Sequence, residues 1–319
     1  MPDYGAEKNK RKVIMNKSYL FFDIECANCF DGIGKMCSFG YVLTDAEFNI
    51  LDSDDVVMNP ETEFDWYLFS PKNRCPLAYS KDYFRAQRNF EAYYKPLKKL
   101  IEAPDRKVIG FSSANDVGFV VSACERYNLP LIQFAAFDIA VIVDNAKGEK
   151  KGLADWCAHY NIDTSSLQAH KSEDDAVMTM KLTQAFCKEN NTGIEELLEK
   201  NKGCRLSVEK YLEHREIKRH NDEVMQKIQE LYGKKCRAVL TNRLKGDYTF
   251  GFKIKKDIDE SLKIATLVFK HGGILKKSLK ANGTVIIEDD TPEEYIQQMK
   301  KKNLTPLTIS DFYEIVRME

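Results

Sequence analysis

The sequence predicts an α/β fold with a mixed sheet, followed by a charged helical connector and a second, small α/β module. Three observations predict it. Apolar and aromatic runs of strand length alternate with segments of helical period from residue 18 to residue 190. A charged stretch then carries one apolar stripe, Val224, Ile228 and Leu231, at i, i+4 and i+7. A third set of strand and helix patterns fills residues 245–319. With 319 residues, 43% of them hydrophobic, the chain has the material for two cores.

In order, SYLFFDIE (18–25), CSFGYVLTD (37–45) and FNILDSDDVVMNP (48–60) read as strands, the last ending in a turn at Asn59-Pro60. Residues 81–103 read as helix, interrupted before Pro96, and KVIGFSS (107–113) as a buried strand. DVGFVVSACERYN (116–128) reads as helix and PLIQFAAFDIAV (130–141) as strand or short helix. KGLADWCAHYN (151–161) and EDDAVMTMKLTQAFCKEN (173–190) are further helices. Three strands followed by alternating helices and strands imply the mixed sheet. From Thr192, which with Glu195 forms a capping box, the pattern is helical to about residue 235. The last block reads strand (248–254), helix (260–273) closed by Gly272-Gly273, strand (284–289), helix (291–303) led by Thr291 and Pro292, strand (304–310) and a closing helix (311–317).

The chain has no run of about 18 apolar residues, so no membrane span is expected. The charged N-terminus does not read as a secretory signal. Nine cysteines at irregular spacing fit reduced thiols, and a cytoplasmic protein is expected. The net charge of −1 hides an uneven distribution. Residues 1–199 hold 23 Lys+Arg against 31 Asp+Glu, and residues 200–245 hold 13 against 6. The basic bridge is either a solvated helix or a contact for phosphates.

Alternation along SYLFFDIE puts Leu20, Phe22 and Ile24 on one face and Tyr19, Phe21, Asp23 and Glu25 on the other. Two carboxylates therefore point the same way at the end of an apolar strand, where they repel each other and resist desolvation. A divalent cation relieves both; so does a lysine or a backbone N–H. Asp116 opens a helix after a buried strand, where it either complements the helix dipole or joins a site at the strand ends. Ser172 can cap the helix in AHKSEDDAVMTMKL. Met178, Thr179, Leu182 and Phe186 share the side of Asp175, so that carboxylate faces inward and needs a partner. His170 precedes the cap and can lean over the same place.

Together, Asp23-x-Glu25, Asp116 and His170-x4-Asp175, with flanks FFDIE, VIGFSSANDVGFV and KGLADWCAHYNID…AHKSEDDA, form a constellation. It resembles the DEDDh family of 3′–5′ exonucleases over about residues 15–190. The resemblance implies a ribonuclease-H-like domain with two divalent ions, Mg²⁺ or Mn²⁺. Asp23 would bridge them, Glu25 and Asp175 would hold one, Asp116 would serve the other, and His170 would act as general base. It implies nucleic acid as partner, DNA ahead of RNA, in repair or replication. A repair adaptor without turnover is the alternative from another class. Cys26 stands where family members commonly have Thr, and Phe111-Ser112 where many have His-Asn; neither replaces a carboxylate.

Cys26-x2-Cys29 has zinc spacing, but no second cysteine pair lies close by, so small packing residues are expected there. Residues 245–319, with Gly272-Gly273, SLKANGTVIIED, TPEEYIQQMKKKN and LTPLTIS, resemble a BRCT domain. Gly251-Phe252 stands where phosphopeptide-binding members have Ser/Thr-Gly, and Phe312 or Tyr313 replaces the usual Trp. The resemblance then implies a DNA end or a protein as partner. The expected organisation is an exonuclease domain over 15–190, a basic connector over 191–244 and the BRCT-like domain over 245–319.

Overall fold

The computed structural model describes residues 17–70, 72–73, 76–241 and 243–317. The N-terminal segment read for a secretory signal lies outside them except for Lys17. The chain divides into two compact units, Met1–Leu212 and Glu213–Glu319.

The first unit contains strands β1 (Ser18–Cys26), β2 (Met36–Thr44) and β3 (Ile50–Val57), helices α1 (Lys81–Ala86) and α2 (Phe90–Ile101), and strand β4 (Arg106–Gly110). These are followed by α3 (Ala114–Arg126), β5 (Ala135–Asp138), α4 (Ile139–Lys147), α5 (Leu153–His159), α6 (Ser172–Glu189), α7 (Ile194–Lys200) and β6 (Arg205–Ser207). The sheet order is β3-β2-β1-β4-β5-β6. The β1–β2, β2–β3 and β5–β6 pairs are antiparallel; β1–β4 and β4–β5 are parallel. This is the mixed α/β sheet that the alternation of strands and helices predicts. Alternation on β1 divides the core in two. Leu20, Phe22 and Ile24 pack with Phe90, Leu97, Val117 and Val120 of α2 and α3. Tyr19 and Phe21 pack with Ile142 of α4 and with Leu182 and Phe186 of α6.

Three local readings change. The break in the 81–103 helix falls between α1 and α2, and Pro96 is accommodated inside α2. The turn lets Phe84 join a satellite cluster with Phe64 and Leu77 while Phe90 enters the main core. Residues 130–141 hold both β5 and the start of α4, joined at Asp138, whose side chain accepts from Val141 N–H. The stretch after Thr192 is not continuous helix. β6 interrupts it and pairs with β5, Leu206 opposite Ala136, at the edge of the first sheet. Three residues are too short to show a period against a helical background.

Helix α8 (Val208–Leu231) follows β6. In the second unit, β7 (Gly246–Phe250), α9 (Ile258–Lys270), β8 (Gly273–Leu275), β9 (Gly283–Ile287), α10 (Glu293–Lys301), β10 (Leu304–Thr308) and α11 (Ile309–Arg317) form a four-stranded sheet of order β10-β9-β7-β8. Every pair in it is parallel. Val224 and Ile228 of the apolar stripe on α8 are buried against Tyr248, Ile264, Val268 and Phe312. The short strand β8, entered through Gly272 at φ +92°, was hidden in the sequence behind the helix-closing Gly272-Gly273. Among the described residues no helix is long and apolar enough to cross a membrane.

Candidate active site

Asp23 and Glu25 lie at the C-terminal end of β1, on the face that turns toward α6. Directly across from Asp23 on β2 is Gly40. A Cβ there would fall 1.9 Å from the backbone N of Glu173 and 2.0 Å from the carbonyl carbon of Ser172. The missing side chain lets the first turn of α6 lie against the sheet. That turn is further fixed by Ser172, whose Oγ donates its hydrogen to Asp55 Oδ1 and accepts from the Ser38 hydroxyl, both at 2.7 Å. Tyr79 O–H donates to the other oxygen of Asp55 at 2.8 Å. Ser172 thus ties α6 to the sheet instead of capping it; Lys171 occupies the cap position and its side chain makes no capping bond.

The three acids of this turn separate. Lys171 holds Glu173 and Asp174, each at 3.0 Å. Asp175 accepts the main-chain N–H of His170 at 3.0 Å. His170 sits at φ +61°, a left-handed conformation that few side chains adopt. Its Nδ1 lies 3.1 Å from Glu25 Oε1. Ligand atoms of Glu25, His170 and Asp175 all fall within 4.8 Å of one another.

Asp116 enters from the first turn of α3 and is 6% exposed. The loop ahead of it is held by Asp138, whose two oxygens accept Ser112 N–H at 3.0 Å and Ser113 N–H at 3.1 Å. Electrostatics bring the acids together. Burial, then the charges of Asp116, Asp175 and Glu25, push the carboxyl of Asp23 well above its ordinary range. Burial, then Glu25 and Asp138, do the same to Asp116. Asp175 is pushed up to about 6, again mainly by burial and secondarily, among the raising charges, by Glu25. No lysine or arginine among the described residues pairs with Asp23, Asp116 or Asp175. Such a set resists holding four negative charges in a dry place without a cation.

Of the five residues singled out in the sequence, Glu25, His170 and Asp175 meet at the end of β1, and Asp23 and Asp116 lie near enough to interact with these acids through charge. The sequence did not point to Gly40, Asp55 or Asp138. An Asp at a strand–helix junction was the one available signal for Asp138.

Cys26 and Cys29 sulfurs are 3.7 Å apart, and Cys26 Sγ bonds the carbonyl of Asn28 at 2.8 Å. Cys37 is fully buried. No third histidine, cysteine or carboxylate joins them as a ligand group among the described residues.

No family model matches the chain, and no curated protein matches it. Among solved structures, similarity is found to a 3′-exonuclease in a complex for recognising the histone mRNA stem-loop 3′ end, at 13% identity and TM-score 0.47, covering 55% of this chain and 83% of that one. The nuclease domain of a DEDDh-family member bound to rAMP is similar at 14% identity and TM-score 0.46, covering 56% and 94%. E. coli Exonuclease I with a deoxyadenosine oligonucleotide is similar at 14% identity and TM-score 0.42, covering 57% of this chain and 42% of that one. The chain thus spans about two fifths of the length of Exonuclease I. At these scores the likenesses do not bear on what this chain acts on.

Proposed function

We propose that the first unit is a metal-dependent 3′–5′ exonuclease that removes nucleotides from single-stranded or frayed DNA ends, in repair or replication. One observation carries this reading. Glu25, His170 and Asp175 meet at the end of β1, Asp23 and Asp116 interact with these acids through charge, and three of the four carboxylates are pushed up by burial and by one another.

The donor set fits hard divalent ions. It is rich in carboxylate oxygen, has one imidazole, and lacks thiolate, which favours Mg²⁺ or Mn²⁺ over zinc. Asp23, Glu25, Asp116 and Asp175 would hold two such ions, with Asp23 shared. Bound ions supply charge relief on the attacking and leaving oxygens of a phosphodiester. The protein supplies position and proton transfer. With Glu25 as a carboxylate, Nδ1 of His170 carries the hydrogen of their 3.1 Å contact. Nε2 is then the atom that takes a proton from the attacking water. Water oxygen bonds to phosphorus, the P–O3′ bond breaks, and a nucleoside 5′-monophosphate leaves. The leaving O3′ takes up a proton from solvent and becomes the 3′-hydroxyl of the shortened strand. The left-handed backbone at His170, fixed by its N–H to Asp175, holds the imidazole at the edge of the acids.

In this reading residues 15–190 carry the catalytic domain, with β6 of the expected connector 191–244 added at the edge of its sheet, and residues 245–319 are a BRCT-like domain. The parallel β10-β9-β7-β8 sheet supports the last assignment. That domain would bind a DNA end or a protein partner.

The test is hydrolysis of labelled single-stranded DNA and RNA with Mg²⁺, with Mn²⁺ and with chelator. Metal-dependent release of mononucleotides from the 3′ end, faster on DNA, is expected. Activity in chelator, or none on any polynucleotide, would sink the reading. Asp23→Ala is expected to abolish turnover and leave the circular dichroism spectrum unchanged.

A further inference from the structure

The loops that leave β1 just after Glu25 carry exposed aromatic side chains that the chemistry above does not use. β1 runs on into the loop 26–35, and the main chain after Phe64 returns to it: Asp65 N–H donates to Ala27 O at 2.9 Å. The buried side chain of Asn28 bonds the carbonyl of Glu63 and, at 3.3 Å, the hydroxyl of Thr62. The same excursion continues to His170, whose carbonyl accepts Ala78 N–H at 3.3 Å. It therefore begins and ends at the candidate site.

Its apolar residues divide by direction. Phe64, Leu68 and Phe69 turn inward onto a cluster with Ala27, Cys37 and Leu77. Trp66 and Tyr67, in the same short turn, are left 70% and 47% exposed, with Phe30 of the adjoining loop at 51%. Trp66 and Tyr67 meet edge to face, 5.8 Å between ring centres. The neighbouring acids are engaged: Asp65 accepts Tyr67 N–H, and Glu63 accepts Arg85. Lys81 lies over the Phe69 ring and Lys72 is exposed, which favours a polyanion alongside.

We propose that Trp66, Tyr67 and Phe30 form a stacking surface for the unpaired bases of a single strand of DNA running into the carboxylate site. The proposal rests on the exonuclease reading and names how the strand is held. Flat exposed rings beside lysines suit bases of any sequence, because every base has a π-face. A duplex, whose bases are already stacked on each other, cannot use them.

The two tryptophans of the chain make the test direct. Trp156 is fully buried, so a bound base reaches only Trp66. In chelator, a short single-stranded DNA oligonucleotide is expected to quench intrinsic fluorescence saturably, and the blunt duplex of the same sequence is not. Trp66→Phe should lose the signal yet bind labelled oligonucleotide within about threefold of wild type, and Trp66→Ala with Tyr67→Ala should weaken binding about tenfold or more. Wild-type affinity in the double variant, or binding without quenching, overturns the stacking surface while nuclease activity in the same preparation leaves the exonuclease reading standing. Quenching by single-stranded RNA but not DNA overturns the assignment to DNA. If the wild type neither binds nor cleaves any polynucleotide, both fall together.

Discussion

His170 Nδ1 lies 3.1 Å from Glu25 Oε1, across 145 residues of sequence. The bond orients the imidazole through an acid that also belongs to the candidate metal site. His170→Ala is expected to slow turnover by about 10²–10⁴-fold, the usual worth of a positioned general base. Binding of Mn²⁺, followed by calorimetry, should persist because four carboxylates remain. Loss of binding would recast His170 as a ligand. His170→Asn is the control for the backbone, since asparagine tolerates the left-handed conformation.

The raised acids make stability depend on pH and metal in a stated direction. Asp175, pushed up to about 6, prefers its proton in the fold more than in the unfolded chain. Its contribution is present below the ordinary aspartate value, near 4, and is lost as pH rises through 6. Asp23 and Asp116 shift the same way and add to the loss as pH rises. In chelator the melting temperature of the first unit should therefore fall between pH 5 and pH 8. Mg²⁺ or Mn²⁺ should restore it, more at pH 8 than at pH 5. A melting temperature that rises with pH in chelator would contradict the arrangement.

The sequence made the acids legible because their order along the chain survives folding: two on one strand face, one at a helix start, one on the inner side of another helix. The period of two on β1 and the side shared by Asp175, Leu182 and Phe186 are local properties. What brings those elements together is not. Gly40 carries no chemistry of its own, and only its register opposite Asp23 gives it meaning. Asp138 caps α4, and its bonds to Ser112 and Ser113 depend on a neighbouring strand, which the local sequence does not show. β6 was missed because its pairing partner, β5, lies far back in the chain.

Asp138 acts on Asp116 by position. Its carboxylate takes two consecutive N–H groups in the loop that leads into α3. Asparagine offers one acceptor oxygen in place of two, so Asp138→Asn should free one of them, at a cost of about 1–3 kcal/mol. The displaced α3 start should lower kcat by about 100-fold, the effect of a misplacement near 1 Å. Mn²⁺ affinity should fall as well. A loss of stability with unchanged kcat and metal affinity would leave Asp138 as a helix cap alone.

Gly40 sets how closely α6 approaches the sheet, and so where Asp175 stands relative to Asp23 and Glu25. A methyl group at Gly40 would meet backbone atoms of Ser172 and Glu173 at about 2 Å, and backbone cannot rotate aside as a side chain can. Gly40→Ala should push the first turn of α6 outward, break the Ser172 bonds to Ser38 and Asp55, and carry Asp175 away from Glu25. The expected destabilisation is about 1–3 kcal/mol, as for an overpacked core, and more if the turn cannot relax. Metal affinity should drop further than stability alone explains, because the ligand set is opened. Gly203→Ala is the matched control in the same unit, since nothing lies within 4 Å of a Cβ there. If Gly40→Ala melts at the wild-type temperature and binds Mn²⁺ as tightly, α6 does not depend on this contact for its position.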